Sequence, residues 1–167
     1  MKKKVFVSTG FYKKENPLKV IKIFSHNKIK QIELSGGRYV SQKNLNKLRL
    51  TNDKNINIRI HNYFPAPKSE FVINLASNNK TIIRKSMTQL KRSILLTKKL
   101  KSEFFSFHAC FRVDPEPKNL GKKFKEIKLI EKKQAERNFY NNLMILNKFA
   151  KRKKEKLLIE NNVVSKK

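Results

Sequence analysis

Residues 56–67 read INIRIHNYFPAP, and this stretch holds the unit from which the rest of the fold is read. Ile58 and Ile60 alternate with Arg59 and His61, the period of two expected of a β-strand with one apolar face. The strand runs from Ile56 to Ile60, passes into His61 and is closed by the turn-rich Pro65-Ala66-Pro67. A long helix is expected next, from about Lys80 to Lys101. Its residues Ile83, Met87, Leu90 and Ile94 step by four, three and four and line one face.

The same strand-then-helix order extends in both directions. Towards the N-terminus, Val5-Phe6-Val7 is a strand closed by Ser8-Thr9-Gly10. Asn16-Pro17 then supplies a cap and a first-turn proline for a helix carrying Leu18, Ile21 and Phe24. Ile29 to Leu34 forms the second strand, ended by Ser35-Gly36-Gly37, and Leu45 and Leu48 mark a short second helix. Towards the C-terminus, Phe104 to Phe107 is the fourth strand, ending at His108. A helix over roughly Lys125 to Lys153 buries Phe139, Leu143, Leu146 and Ala150, and Leu157 to Ile159 is the fifth strand, ending at Glu160. Alternating strands and helices imply an α/β domain with a parallel sheet and right-handed crossovers. The pattern alone fits a doubly wound sheet and part of a barrel equally well. Residues 1–167 are expected to form a single domain unit.

Composition narrows the classes. With 167 residues and 38% hydrophobic content, the chain has enough apolar side chains for one ordinary core. It has no apolar run of about 18 residues, so a membrane span is not expected. The run after Met1-Lys2-Lys3-Lys4 is too short for a signal peptide, which makes a cytoplasmic location the simplest reading. Cys110 is the single cysteine, which excludes intrachain disulfides and cysteine-rich zinc sites. The net charge of +29, from 41 basic against 12 acidic residues, would ordinarily point to nucleic acid or another polyanion. The excess is mostly lysine scattered along the chain, with one dense run at Lys151 to Lys154. There is no Trp, and the aromatics sit in apolar runs instead of alternating with basic residues as a base-stacking platform would. A solvated lysine-rich surface is the favoured expectation and a nucleic-acid partner the lesser one; a phosphorylated substrate suits either.

In parallel sheets functional groups gather at the carboxyl ends of the strands. His61, His108 and Glu160 occupy that place on three strands, each opposite in phase to the apolar residues before it. The apolar alternates Ile58, Ile60, Phe105, Phe107, Leu157 and Ile159 are expected to face the helices and the polar residues the mouth of the sheet. Two imidazoles and a carboxylate suit zinc, with a position left for water or substrate, and would also accept manganese or iron. A single histidine at a strand end is more often a hydrogen-bonded structural group, so spacing alone leaves both readings open. Glu33, before Ser35-Gly36-Gly37, shares the inward phase and is a candidate for substrate contact or for a salt bridge to a lysine. Arg59, two residues before His61, is a candidate for pairing with Glu33 or meeting an anionic substrate. His26 is expected in solvent, and Cys110 has no case as a nucleophile. Gly36-Gly37 lacks the spacing of a dinucleotide-binding loop.

Several segments then resemble a known family. His61-Asn62-Tyr63-Phe64, the stretch Phe71-Val72-Ile73-Asn74-Leu75-Ala76-Ser77 before a helix, Phe107-His108-Ala109, and Leu157-Leu158-Ile159-Glu160-Asn161 are similar to endonuclease IV in the same order. The resemblance implies the N-terminal half of a xylose isomerase-like TIM barrel, cut off after its fifth strand, with His61, His108 and Glu160 as metal ligands. Within that superfamily, endonuclease IV cleaves DNA beside abasic sites with zinc, whereas sugar and sugar-phosphate isomerases and epimerases move protons next to a carbonyl with one divalent metal. Ile32-Glu33-Leu34-Ser35-Gly36-Gly37, His61 through Pro67, and Asn161-Asn162-Val163 look more like the isomerase and epimerase branch. Where the family usually has a glycine, two residues after the fourth-strand histidine, this sequence has Cys110. The resemblance implies a zinc or manganese cofactor, a sugar or sugar-phosphate substrate, and either a second chain completing the barrel or a remnant without activity of its own. A basic, non-catalytic binding module is the remaining alternative.

Overall fold

The structure is a computed structural model that describes residues 5–12, 15–48, 56–120 and 128–161. Five strands, β1 (Val7–Ser8), β2 (Gln31–Ser35), β3 (Asn57–His61), β4 (Phe105–His108) and β5 (Leu157–Glu160), alternate with four helices: α1 (Pro17–His26), α2 (Gln42–Leu48), α3 (Lys80–Leu100) and α4 (Lys132–Arg152). Every pairing is parallel and the order across the sheet is β1-β2-β3-β4-β5. A doubly wound sheet reverses its order at a switch point. A sheet that lays each strand beside the last, with crossovers of one hand, puts every helix on one face and curls towards closure. The observed order removes the doubly wound alternative and leaves half of a TIM-type barrel.

The strand phases fix the core. Ile32 and Leu34, Ile58 and Ile60, and Phe105 and Phe107 are all at most 6% exposed. They meet Ile21 and Phe24 of α1, Leu45 and Leu48 of α2, Leu90 and Ile94 of α3 and Leu146 and Ala150 of α4 in one cluster. Each such side chain contributes roughly 1.5–3 kcal/mol by leaving water. The phase fails at the sheet edge: Leu157 is half-buried, but Ile159 is 45% exposed, because no described element packs outside β5. No described helix is long and apolar enough to cross a membrane.

Helix ends follow local chemistry. Asn16 caps α1 with its side chain, accepting the Leu18 N–H at 2.9 Å just before Pro17. Asn79 caps α3 in the same way. Helix α4 begins later than the periodicity suggests. Residues 128–130 are not helical, and residues 125–127 lie outside the described residues. The Glu131 carboxylate sets the start by accepting the N–H groups of Lys133 (2.9 Å) and Gln134 (2.8 Å). The buried face of α3 also differs from the apolar stripe. Leu90 and Ile94 are buried, but Ile83 and Met87 are only half-buried, and Ser86, Gln89, Ser93 and Thr97 are buried in their stead. The β3–α3 loop crosses that face: Gln89 donates to the Pro65 carbonyl (2.7 Å) and Ser93 to the Phe64 carbonyl (2.7 Å).

Three helix-to-strand turns close alike. Lys28, Lys101 and Lys154 all have positive φ, between 53° and 60°. In each turn the next residue's N–H reaches back five positions: Ile29 to Phe24 (2.9 Å), Ser102 to Thr97 (3.1 Å) and Glu155 to Ala150 (3.0 Å). This is the Schellman closure, in which glycine is the usual left-handed residue. Lysine there costs on the order of 1 kcal/mol in backbone strain, partly offset by a cation at the helix carboxyl end.

Candidate metal centre

The register brings the strand-end residues together. Ser35 lies beside His61, His61 beside Ser106, and His108 beside Glu160. One ligand atom from each of His61, His108 and Glu160 lies within 4.8 Å of the other two. The two imidazoles face each other, Nε2 to Nε2, at 3.2 Å. Glu160 Oε1 is 3.4 Å from His61 Nδ1, and Oε2 is 4.0 Å from His108 Nε2. Two nitrogens bound to one tetrahedral zinc at about 2.05 Å stand roughly 3.3 Å apart, so the imidazole spacing suits a shared cation as well as it suits a direct N–H···N hydrogen bond. The donor types and their spacing fit a divalent ion.

Neighbouring groups orient the rings. Ser106 Oγ is 2.8 Å from His61 Nδ1. A proton on Nδ1 donated to that oxygen leaves the Nε2 lone pair directed at His108. The Asn62 amide is 3.4 Å from His108 Nδ1; turned with its oxygen towards the ring, it accepts the Nδ1 proton and frees Nε2 likewise. Asn62 is 5% exposed, has φ 32°, and donates its backbone N–H to the Ser106 carbonyl at 2.8 Å. Burial lowers the His108 pKa, helped by the adjacent His61, while Glu160 and Glu33 pull it back up. Partial burial thus favours the neutral ring that a metal requires. No local pattern marks Ser106 or Asn62 as an orienting group. Ser106 shares the phase of His108, but only the strand register shows that it stands beside His61.

The other candidates fall in different places. Glu33 is half-buried on the inner face, opposite Arg59 in register, and among the described residues no ion pair engages its carboxylate. Arg59 does not pair with Glu33. Its guanidinium binds Glu103 at 2.8 Å and lies between the rings of Phe6 (3.8 Å) and Phe104 (4.6 Å). Glu103 precedes β4, so this arginine reaches towards the start of the strands, away from the histidines. His26 is exposed as expected. Asn162 and Val163 lie outside the described residues.

The Ile73–Ser77 segment proves to be a structural hub. Asn74 is fully buried, donates to the Val113 carbonyl (2.9 Å) and Asp114 Oδ1 (2.8 Å), and accepts from Ala76 N–H (3.1 Å) and Phe111 N–H (3.3 Å). Ser77 donates to Asp114 Oδ2 at 2.7 Å. Asn138 and Asn142 of α4 bind the carbonyls of Ser77 (3.0 Å) and Leu75 (2.9 Å). Cys110 joins this hub: its sulfur accepts the Leu75 N–H at 3.0 Å, and burial pushes the thiol up to about 11. The departure from glycine at this position therefore supplies a loop contact beside the site.

No protein-family model and no curated protein matches the sequence. Among solved structures, the chain is similar to a D-tagatose 3-epimerase-like protein, with 22% identity, a TM-score of 0.66, and 93% of this chain aligned to 51% of that one. It is similar to D-psicose 3-epimerase from Clostridium cellulolyticum, solved with D-tagatose (13% identity, TM-score 0.62, 90% of this chain and 50% of that one). A Thermus thermophilus protein soaked with zinc chloride also aligns (13% identity, TM-score 0.55, 86% and 51%). The chain spans about half the length of each. At these identities the likeness is one of fold alone, and that fold is half of a parallel barrel of TIM type.

Proposed function

We propose, from the half-barrel fold shared with the sugar epimerases, that the chain is the metal-binding part of a sugar or sugar-phosphate isomerase or epimerase, acting by proton transfer next to a carbonyl. The observation that carries this reading is the convergence of His61, His108 and Glu160 within 4.8 Å at the carboxyl ends of three adjacent strands, where barrel enzymes build their sites. These residues would hold one divalent cation, zinc or manganese. Such an ion, when bound, polarises a substrate oxygen. The chain's own groups do the rest: Ser106 and Asn62 hold the rings, Glu160 supplies compensating charge, and Glu33 is the carboxylate that faces the substrate. Residues 1–167 act on this reading as one partial-barrel unit, with the remaining strands supplied by further sequence or a second chain.

Isothermal titration with zinc chloride and manganese chloride tests the site. One ion per chain should bind to the native protein and none to the His61→Ala, His108→Ala double variant; equal binding by both would remove the site. The barrel completed by its missing strands should then interconvert ketohexoses or their phosphates. The donor set favours a second reading, because two imidazoles suit zinc in particular: a zinc-dependent nuclease of the endonuclease IV type. That reading requires more than one zinc in the completed enzyme, and cleavage of duplex DNA at abasic sites without sugar turnover.

A further inference from the structure

Among the described residues, the rim opposite the histidines carries lysines with little acidic compensation. Lys28 and Lys30 precede β2, Lys101 precedes β4, and Lys153, Lys154 and Lys156 precede β5. Because the strands are parallel, all these turns lie at one end of the sheet and His61, His108 and Glu160 at the other. All but Lys153 are exposed, and no ion pair among the described residues uses any of them. Of the ten acidic residues at described positions, only Glu103 and Glu155 fall in these turns, and Glu103 is bound to Arg59. Among the described residues the loops on the histidine side are balanced instead, with Glu15, Glu70, Asp114, Glu116 and Glu131 against Arg38, Lys68, Arg112, Lys118 and Lys128.

The backbone adds a second observation. Three equivalent turns place lysine in the left-handed position where glycine removes the strain. Each such turn fixes where its side chain leaves the rim. Neighbouring strands are about 4.8 Å apart, so the turns before β4 and β5 present their lysines close together, with those before β2 two strands further along.

We propose that this rim binds the phosphate backbone of double-stranded nucleic acid. An anionic membrane would call for aromatic or aliphatic side chains presented beside the lysines. Here Ile29 packs on the core and Phe104 stacks on Arg59, which leaves Val5, beside Lys30, and Leu158, two residues past Lys156, as single exposed aliphatics at opposite edges of the sheet. With no stacking platform on the rim, binding is to phosphates and independent of sequence. The inference does not rest on the metal reading.

The test uses the full chain in EDTA and a fluorescein-labelled 20-base-pair duplex of mixed sequence, titrated by anisotropy over a series of salt concentrations. The variant Lys28→Gly, Lys101→Gly, Lys154→Gly removes three charges while relieving backbone strain, so its melting temperature should equal or exceed that of the native chain. Its plot of log K against log salt should be shallower by about 2.7, or 0.9 for each phosphate no longer neutralised. A control, Lys80→Ala, Lys85→Ala, Lys133→Ala, removes the same charge from the histidine-side ends of α3 and α4 and should keep the native slope. Absence of duplex binding by the native chain would overturn the proposal. So would an unchanged slope in the glycine variant, an equal loss in the control, or binding to phosphatidylserine vesicles but not to the duplex.

Discussion

His61 and His108 hold their Nε2 atoms 3.2 Å apart because β3 and β4 are paired in register and Ser106, bonded to Nδ1 of His61, fixes that ring. Groups that orient a ligand typically carry 10- to 100-fold in metal affinity. Ser106→Ala should therefore weaken zinc binding about tenfold by competitive chelator titration, with the fold unchanged by circular dichroism; unaltered affinity would make Ser106 a bystander. Cys110 illustrates the opposite kind of residue. Its thiol titrates near 11 when folded, above the ordinary value of about 8.5. At pH 8 it should react with iodoacetamide far more slowly in the native chain than in urea. The folded state keeps its proton while the unfolded state loses it, so this group destabilises the fold progressively as pH rises from about 8.5 towards 11. Fast native alkylation at pH 8 would contradict the buried contact with Leu75.

The segment between β3 and α3 does more than connect. Asn74 uses both amide ends on four partners and thereby ties the loop after β3 to the loop after β4. Asn74→Ala would strand buried donors and acceptors and should cost about 3 kcal/mol in urea unfolding; a loss under 1 kcal/mol would show that water replaces the amide. The same loop explains why α3 buries Ser86, Gln89 and Ser93, which meet the Asn74 N–H and the Pro65 and Phe64 carbonyls, while buried Thr97 donates to the Ser93 carbonyl of its own helix. A stripe of Ile83, Met87, Leu90 and Ile94 is what a helix needs against an apolar sheet. The partner of half this face is loop backbone, whose N–H and carbonyl groups require partners. Hydropathy has no term for that, so the helix was legible in the sequence but its rotation was not.

The molecule as a whole combines open edges with strong charge. Among the described residues β1 and β5 each have one paired neighbour. Exposed apolar side chains stand near both edges: Phe11 is 90% exposed near β1, and Ile145 on α4 and Ile159 on β5 are 52% and 45% exposed. Such surfaces associate, while a net charge of +29 opposes it until salt screens the repulsion. The sedimentation coefficient should therefore rise with protein concentration more steeply at 500 mM than at 50 mM sodium chloride. Ile159→Lys should suppress the rise; indifference to both salt and substitution would mean that the edges are not the contact.

The order of elements, the phase of each strand and the residues ending them were written in local patterns. A period of two, a period of three to four, and caps such as Asn16-Pro17 act over a few residues, so the chain alone specified the α/β class and singled out His61, His108 and Glu160. Neighbour relations are of another kind. Which strand lies beside which, that Ser106 stands next to His61, that Arg59 reaches Glu103 and not Glu33, and that the lysines of three separate turns share one rim all depend on register and on crossovers of a single hand. Those are set by packing between segments tens of residues apart, and no window along the sequence contains them.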